Sequence, residues 1–266
     1  MPIYLQTKKN AKMQTPKVSF ILKNKKQNGV ALFVVLVFVM LTMLLATWAS
    51  RTSFFNELVM GNDADYQRAF EAAQALIQDA ELDIRNERAD GGICTGTDDV
   101  CRTNTAFKIP LENKDIGPLL AALENQTPTF CAKGLCAKRL GKQDFWNNST
   151  AANGPTLAQM TSTGVGARYG DFTGATLGTS STPANPILME RAEGKGGWYW
   201  IEVLPYDESS KMSHVVLNGS AQFLPMNLIP NVAYRITAIA YGRKPTKNNV
   251  PLVVIQQTYA QQKLKD

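Results

Sequence analysis

The sequence predicts an α+β fold in which one long N-terminal helix lies on a small C-terminal antiparallel sheet. Three observations predict it. An apolar run at residues 30–49 continues, without a turn signal, as a helix-periodic segment to about Arg88. The second half of that segment carries an apolar stripe that needs a covering surface. Three alternating segments in the last 70 or so residues supply one.

The apolar run, VALFVVLVFVMLTMLLATWA, has only Thr42 and Thr47 as polar residues and no charge. Twenty helical residues at about 1.5 Å each measure roughly 30 Å, the thickness of a bilayer's hydrocarbon core. A secretory signal has an apolar core of roughly 7–15 residues closed by a small-residue cleavage motif. Here the run is longer, and W-A-S-R-T-S-F-F-N-E-L reads as further helix.

The formal charge of +6 points first to a nucleic-acid binder. Seven of the 28 basic residues are lysines within residues 1–29, which hold no acid. The remainder carries 21 basic against 22 acidic residues, so the excess belongs to the leader. Lysines beside an apolar span are retained in the cytoplasm, which predicts the N-terminus inside and residues 50–266 outside.

Beyond the span, Tyr66, Phe70, Ala73, Ile77, Ala80 and Ile84 recur at alternating spacings of four and three, one face of a helix. Asp79, Asp83 and the other charged residues are placed elsewhere around it. Gly61 is the expected soft point and Gly91-Gly92 the expected stop. If unbroken, 30–88 would measure roughly 90 Å.

Residues 91–196 read as loop-rich, with a short helix at Gly117–Asn125 and a surface excursion from Gly141 to Pro186. Cys94, Cys101, Cys131 and Cys136 all follow the span, and an even number in an exported segment favours disulfides. Of the three possible connectivities, sequence proximity favours Cys94–Cys101 with Cys131–Cys136. A four-cysteine zinc site lacks its usual C-x2-C knuckles.

Residues 197–205, 234–242 and 250–259 alternate as strands. They place Tyr199, Ile201 and Val203, then Tyr234, Ile236, Ala238 and Ala240, then Val253, Ile255 and Tyr259 on apolar faces. G-R-K-P-T-K-N-N reads as the hairpin connection between the last two. Trp198 and Trp200 point the other way, as a partner surface or as a face covered by the 141–186 segment.

Little in the chain carries reaction chemistry. His214 is the single histidine and reads as a surface or strand-end residue. Phosphate-loop, dinucleotide and zinc-protease motifs are absent, and no cofactor is implied. Asp98-Asp99 lacks the spaced oxygen ligands of a calcium loop and reads as a solvated turn. The N-x-S/T match at Asn148 carries no weight alone.

A basic leader ending in glycine, then a span continuous with an amphipathic helix, resembles a type IV prepilin. The blocks N-E-L-V-M-G-N at 56–62 and Y-Q-R-A-F-E-A-A-Q-A-L at 66–76 resemble the PilX family of minor pilins. So do Y-R-I-T-A-I-A at 234–240 and V-V-I-Q-Q-T-Y at 253–259. The resemblance implies cleavage by prepilin peptidase between Gly29 and Val30, and N-methylation of Val30. It divides the chain into a leader (1–29), a filament-core helix (30–50), its amphipathic half (51–90), a loop-rich region (91–196) and a sheet (197–266). In major pilins the fifth mature position is a glutamate thought to pair with a neighbour's N-terminal amine; here it is Val34. Implied partners are other minor pilins, the inner-membrane assembly platform and a PilC/PilY-type tip adhesin. A type II secretion tip pseudopilin and a plain single-pass anchored binding protein are the competing readings.

Overall fold

A computed structural model describes residues 30–95, 100–102, 106–139, 141–179, 181, 185–206, 228–243 and 250–262. Gly29 and the lysine leader, Asp98, Asp99, His214 and residues 244–249 of the predicted hairpin connection lie outside the described residues.

Helix α1 covers Val30–Arg85. Helical hydrogen bonding passes through Gly61, so the expected soft point does not interrupt it. The helix stops at Arg85, earlier than Gly91-Gly92 suggested. Asn86 takes the left-handed conformation at φ 59°. Its N–H bonds to the Asp83 carbonyl at 3.1 Å, and the Glu87 N–H bonds to the Leu82 carbonyl at 2.9 Å. Those two bonds are a Schellman closure, with asparagine in the place usually held by glycine.

The described residues fall into two compact units, 30–56 and those from 57 onward. In the second, short strands β1 (Cys131–Ala132) and β2 (Leu135–Cys136) precede three longer ones, β3 (Gly197–Pro205), β4 (Leu228–Tyr241) and β5 (Leu252–Gln262). They form one sheet in the order β1-β2-β3-β4-β5. The β3–β4 and β4–β5 pairs are antiparallel as predicted, whereas β2 joins β3 in parallel, Leu135 opposite Ile201.

One sheet face packs on α1. Tyr199, Ile201, Val203, Tyr234, Ile236, Ala238 and Ala240 meet Ala69, Ala72, Ala73, Leu76, Ile77, Ala80 and Ile84. The alanines let helix and sheet approach closely. The buried helix face is wider than the predicted stripe: Ala73, Ile77, Ala80 and Ile84 are buried as predicted, Asp65, Asp79 and Asp83 are buried beside them, and only Tyr66, 47% exposed, and half-buried Phe70 depart.

Helix α2 (Asn113–Glu124) begins a turn earlier than predicted and adds Leu119 and Leu123 to this core. Its first turn is held by the Asp115 carboxylate, which accepts from the Glu112 N–H at 3.3 Å.

The other face is covered, which corrects the reading of 141–186 as a surface excursion and decides for the covered alternative at Trp198 and Trp200. Phe145 and Met160, at 0% exposure, pack with Trp198, Trp200 and Ile239. The Trp200 indole donates to the Met160 carbonyl at 3.2 Å, and Phe145 stands edge-on to its ring with centroids 4.9 Å apart. A Cβ on Gly166 would come within 2.9 Å of the Trp198 ring, so only glycine lets the segment cross the indoles. The segment is built from a 3-10 turn at Phe145–Asn147, another at Ala151–Asn153 and a single helical turn, α3, at Leu157–Met160. Such short pieces give no periodicity to read. A further turn, α4 (Pro186–Met189), leads into β3.

Candidate functional site

The chemistry of α1 divides along its length. From Val30 to Ala49 every residue is exposed. The two polar side chains in the run are satisfied inside the helix: Thr42 donates to the Val39 carbonyl and Thr47 to the Leu44 carbonyl, both at 2.9 Å. The run therefore presents no unpaired polar side chain to an apolar surrounding. It is long and apolar enough to cross a membrane. Arg51 is the first charge and Glu57 the first acid in α1, so Val34 and its neighbours bring no carboxylate. Apolar exposure continues through Trp48, Phe54, Phe55, Leu58, Val59 and Met60.

The last third of α1 does different work. Asp79 and Asp83, placed off the apolar stripe by the sequence, are both buried and gather distant chain segments. Asp79 accepts from the Gly170 N–H at 2.8 Å and from the Thr173 hydroxyl. Burial pushes its pKa from 3.8 to about 6, against the lowering effect of those two bonds, and the nearby Asp83 and Asp171 charges add to the rise. Asp83 takes a fork from Arg102, Nε to Oδ1 at 2.7 Å and Nη2 to Oδ2 at 2.7 Å, and a bond from the Tyr199 hydroxyl at 3.1 Å. Arg102 also lies 3.4 Å over the Phe172 ring. Asp65 accepts from the Arg243 N–H at 3.0 Å, where β4 ends.

The cysteines pair as Cys94–Cys101 and Cys131–Cys136. The first bond ends one residue before Arg102 and so fixes the chain that delivers the guanidinium to Asp83. The second joins β1 to β2 beneath Trp200, in the same cluster as Phe145 and Met160.

Two further charged centres are built on the sheet's far side. Arg168 donates to the carbonyls of Glu190, Arg191, Ala192 and Lys195 at 2.8–3.0 Å and stacks 3.3 Å over Trp198. Burial lowers its pKa to about 10, so it stays charged at neutral pH. Glu202 receives Arg235 at 2.8 and 2.5 Å and the Arg139 N–H at 2.9 Å, with the Arg139 guanidinium 3.4 Å away. Burial lowers the Arg139 pKa.

These centres hold loops; none has the form of a reaction centre. Among the described residues no three histidine, cysteine or acidic side chains come together as a metal set. Asn148 is buried and donates to the Gly154 and Pro155 carbonyls at 2.9 and 3.1 Å, which makes it a loop anchor.

Sequence reasoning missed Asp65, Asp79, Asp83, Arg102, Arg139, Arg168 and Glu202. A signal was present for the helix acids. Asp65, Ala69, Ala72, Leu76, Asp79 and Asp83 repeat the same four-three spacing, one residue out of step with the predicted stripe.

Two family models match the chain. The PilX N-terminal model matches residues 28–77, and the C-terminal model of the type IV pilus assembly protein PilX matches residues 120–261. No curated protein and no solved structure matches it significantly. The matched regions contain the exposed apolar helix and the sheet that packs on its continuation. The chain belongs to the PilX family of type IV pilus assembly proteins and is a minor pilin.

Proposed function

We propose that this minor pilin works without catalysis, as part of a tip complex that primes pilus assembly. Prepilin peptidase removes residues 1–29 by cutting between Gly29 and Val30, and Val30 is N-methylated. The chain waits in the inner membrane as a single pass, N-terminus inside and head outside. It then joins other minor pilins on the assembly platform, and the complex displays a PilC/PilY-type adhesin.

The observation that carries this reading is the carboxylate-free span: α1 has no acid before Glu57, and Val34 occupies the fifth mature position. A charge buried unpaired among apolar helices costs several kcal/mol. A subunit with Val34 offers nothing to the amine of a subunit above it, which suits a place with no subunit above. Its own amine can still be met from below.

The test is a pair of substitutions in piliated cells. Val34→Glu is expected to lower pilus number and recovery of the chain with other minor pilins, while Val34→Leu leaves both near wild type. If both variants behave as wild type, the tip placement is wrong.

A further inference from the structure

The sheet ends differently on its two sides. β1 is two residues long and bonded through Cys131–Cys136 to its neighbour. β5 is the last strand on the other side and runs for eleven residues, about 37 Å at roughly 3.4 Å each. An antiparallel edge strand turns the N–H and C=O of every second residue outward. About five residues of β5 therefore present free ladder groups. Among the described residues no backbone hydrogen bond crosses this edge.

Long natural edges are commonly guarded by lysine, proline or a bulge. The run L-V-V-I-Q-Q-T-Y-A-Q-Q contains neither charge nor proline, and its pairing with β4 is unbroken from Leu252 to Ala260. Val254, Ile255, Tyr259 and Ala260 are half-buried, and Gln256, Gln257 and Thr258 are exposed. The adjoining charges on α1 are already engaged: Glu81 accepts from Gln257, and Arg85 pairs with Glu87 at 2.8 Å. The edge thus offers backbone bonds and apolar contact, without a charge seeking a counter-charge.

We propose that the outer edge of β5 is a docking site for an extended, uncharged strand donated by a different polypeptide, added to the sheet by β-augmentation. A second copy of this chain does not fit the place. Antiparallel pairing of two β5 edges is related by a twofold axis perpendicular to the sheet, which reverses the 57–85 segment lying on its face. Glu57, where each head joins its apolar span, would then face opposite ways in two copies sharing one membrane. Head-to-tail pairing would offer β5 only the two residues of β1. A donated tail carries no such restriction. This inference rests on the head alone and is independent of the tip placement above.

The test uses the full chain in detergent micelles and residue-resolved amide exchange. The probe is a capped decapeptide of alternating threonine and valine. In the free protein about half of the β5 amides should exchange rapidly, and saturating peptide should slow them at least about tenfold while β3 is unchanged. A Gln256→Lys/Thr258→Lys double variant, which alters no buried position and gives up only the 3.0 Å bond from Gln256 to the Thr237 hydroxyl, should lose that protection and keep the β3 pattern. Three results would overturn the proposal. One is no protection at any peptide concentration. Another is full β5 protection in the free monomer, which would mean a segment of the same chain fills the edge. The third is protection that rises with protein concentration alongside dimer in sedimentation, which would make a second copy the occupant.

Discussion

Replacing Asp79 by asparagine removes a titrating group from the middle of the helix–loop contact while keeping a side chain of the same shape. The amide can accept from the Gly170 N–H and donate to the Thr173 hydroxyl, the two groups that now bond to the carboxylate. Because burial raises the Asp79 pKa from 3.8 to about 6, the folded state holds its proton more tightly than the unfolded state does. Its contribution to stability is fully present below pH about 4 and is lost as pH rises through about 6. A rise of roughly two units corresponds to about 3 kcal/mol at 1.36 kcal/mol each. The stability of Asp79→Asn relative to wild type should therefore climb by up to about 3 kcal/mol between pH 4 and pH 7.5. Urea unfolding of the full chain in micelles, followed by the emission of buried Trp198 and Trp200, measures this difference. A difference that is flat with pH, or that falls as pH rises, would refute the burial argument and make the ionised carboxylate the preferred partner of the loop.

Arg102→Met strands the Asp83 carboxylate and should cost about 3–5 kcal/mol, with an added Asp83→Asn recovering part of the loss in the same unfolding assay. Among the described residues the buried Tyr234 hydroxyl has no hydrogen-bond partner, so Tyr234→Phe should be neutral or stabilising by about 1 kcal/mol; a clear loss in urea midpoint would show that the hydroxyl has a partner. Arg168→Lys cannot bridge four carbonyls. It should free the 190–197 loop to trypsin at Arg191 and Lys195 at concentrations that leave wild type intact, and unchanged digestion would contradict the role given to the guanidinium.

The parts of the fold that repeat with a single period were legible. The apolar span, the three long strands and the need for a helix–sheet contact all follow from spacing. Ala73, Ile77, Ala80 and Ile84 of the predicted stripe are buried as expected, and the row one residue before it is buried as well, which apolar character alone does not show. Asp65, Asp79 and Asp83 share its periodicity and are buried because Arg243, Gly170, Thr173, Arg102 and Tyr199 come to them from far along the chain. No local pattern shows such partners. The 141–165 cover is legible only as one of two readings of Trp198 and Trp200, for a related reason: its buried residues sit on single turns, and their burial depends on those indoles arriving from β3. The stop at Asn86 was hidden because an asparagine took the glycine's usual place.

The pilin account turns most directly on the mature N-terminus. Intact-mass and N-terminal sequence analysis of the chain, recovered from membranes that contain prepilin peptidase, should find residues 1–29 gone and Val30 first, carrying one added methyl group. Gly29→Val should leave the leader in place. A wild-type chain recovered with its leader intact, or cut anywhere beyond the apolar run, would contradict the account.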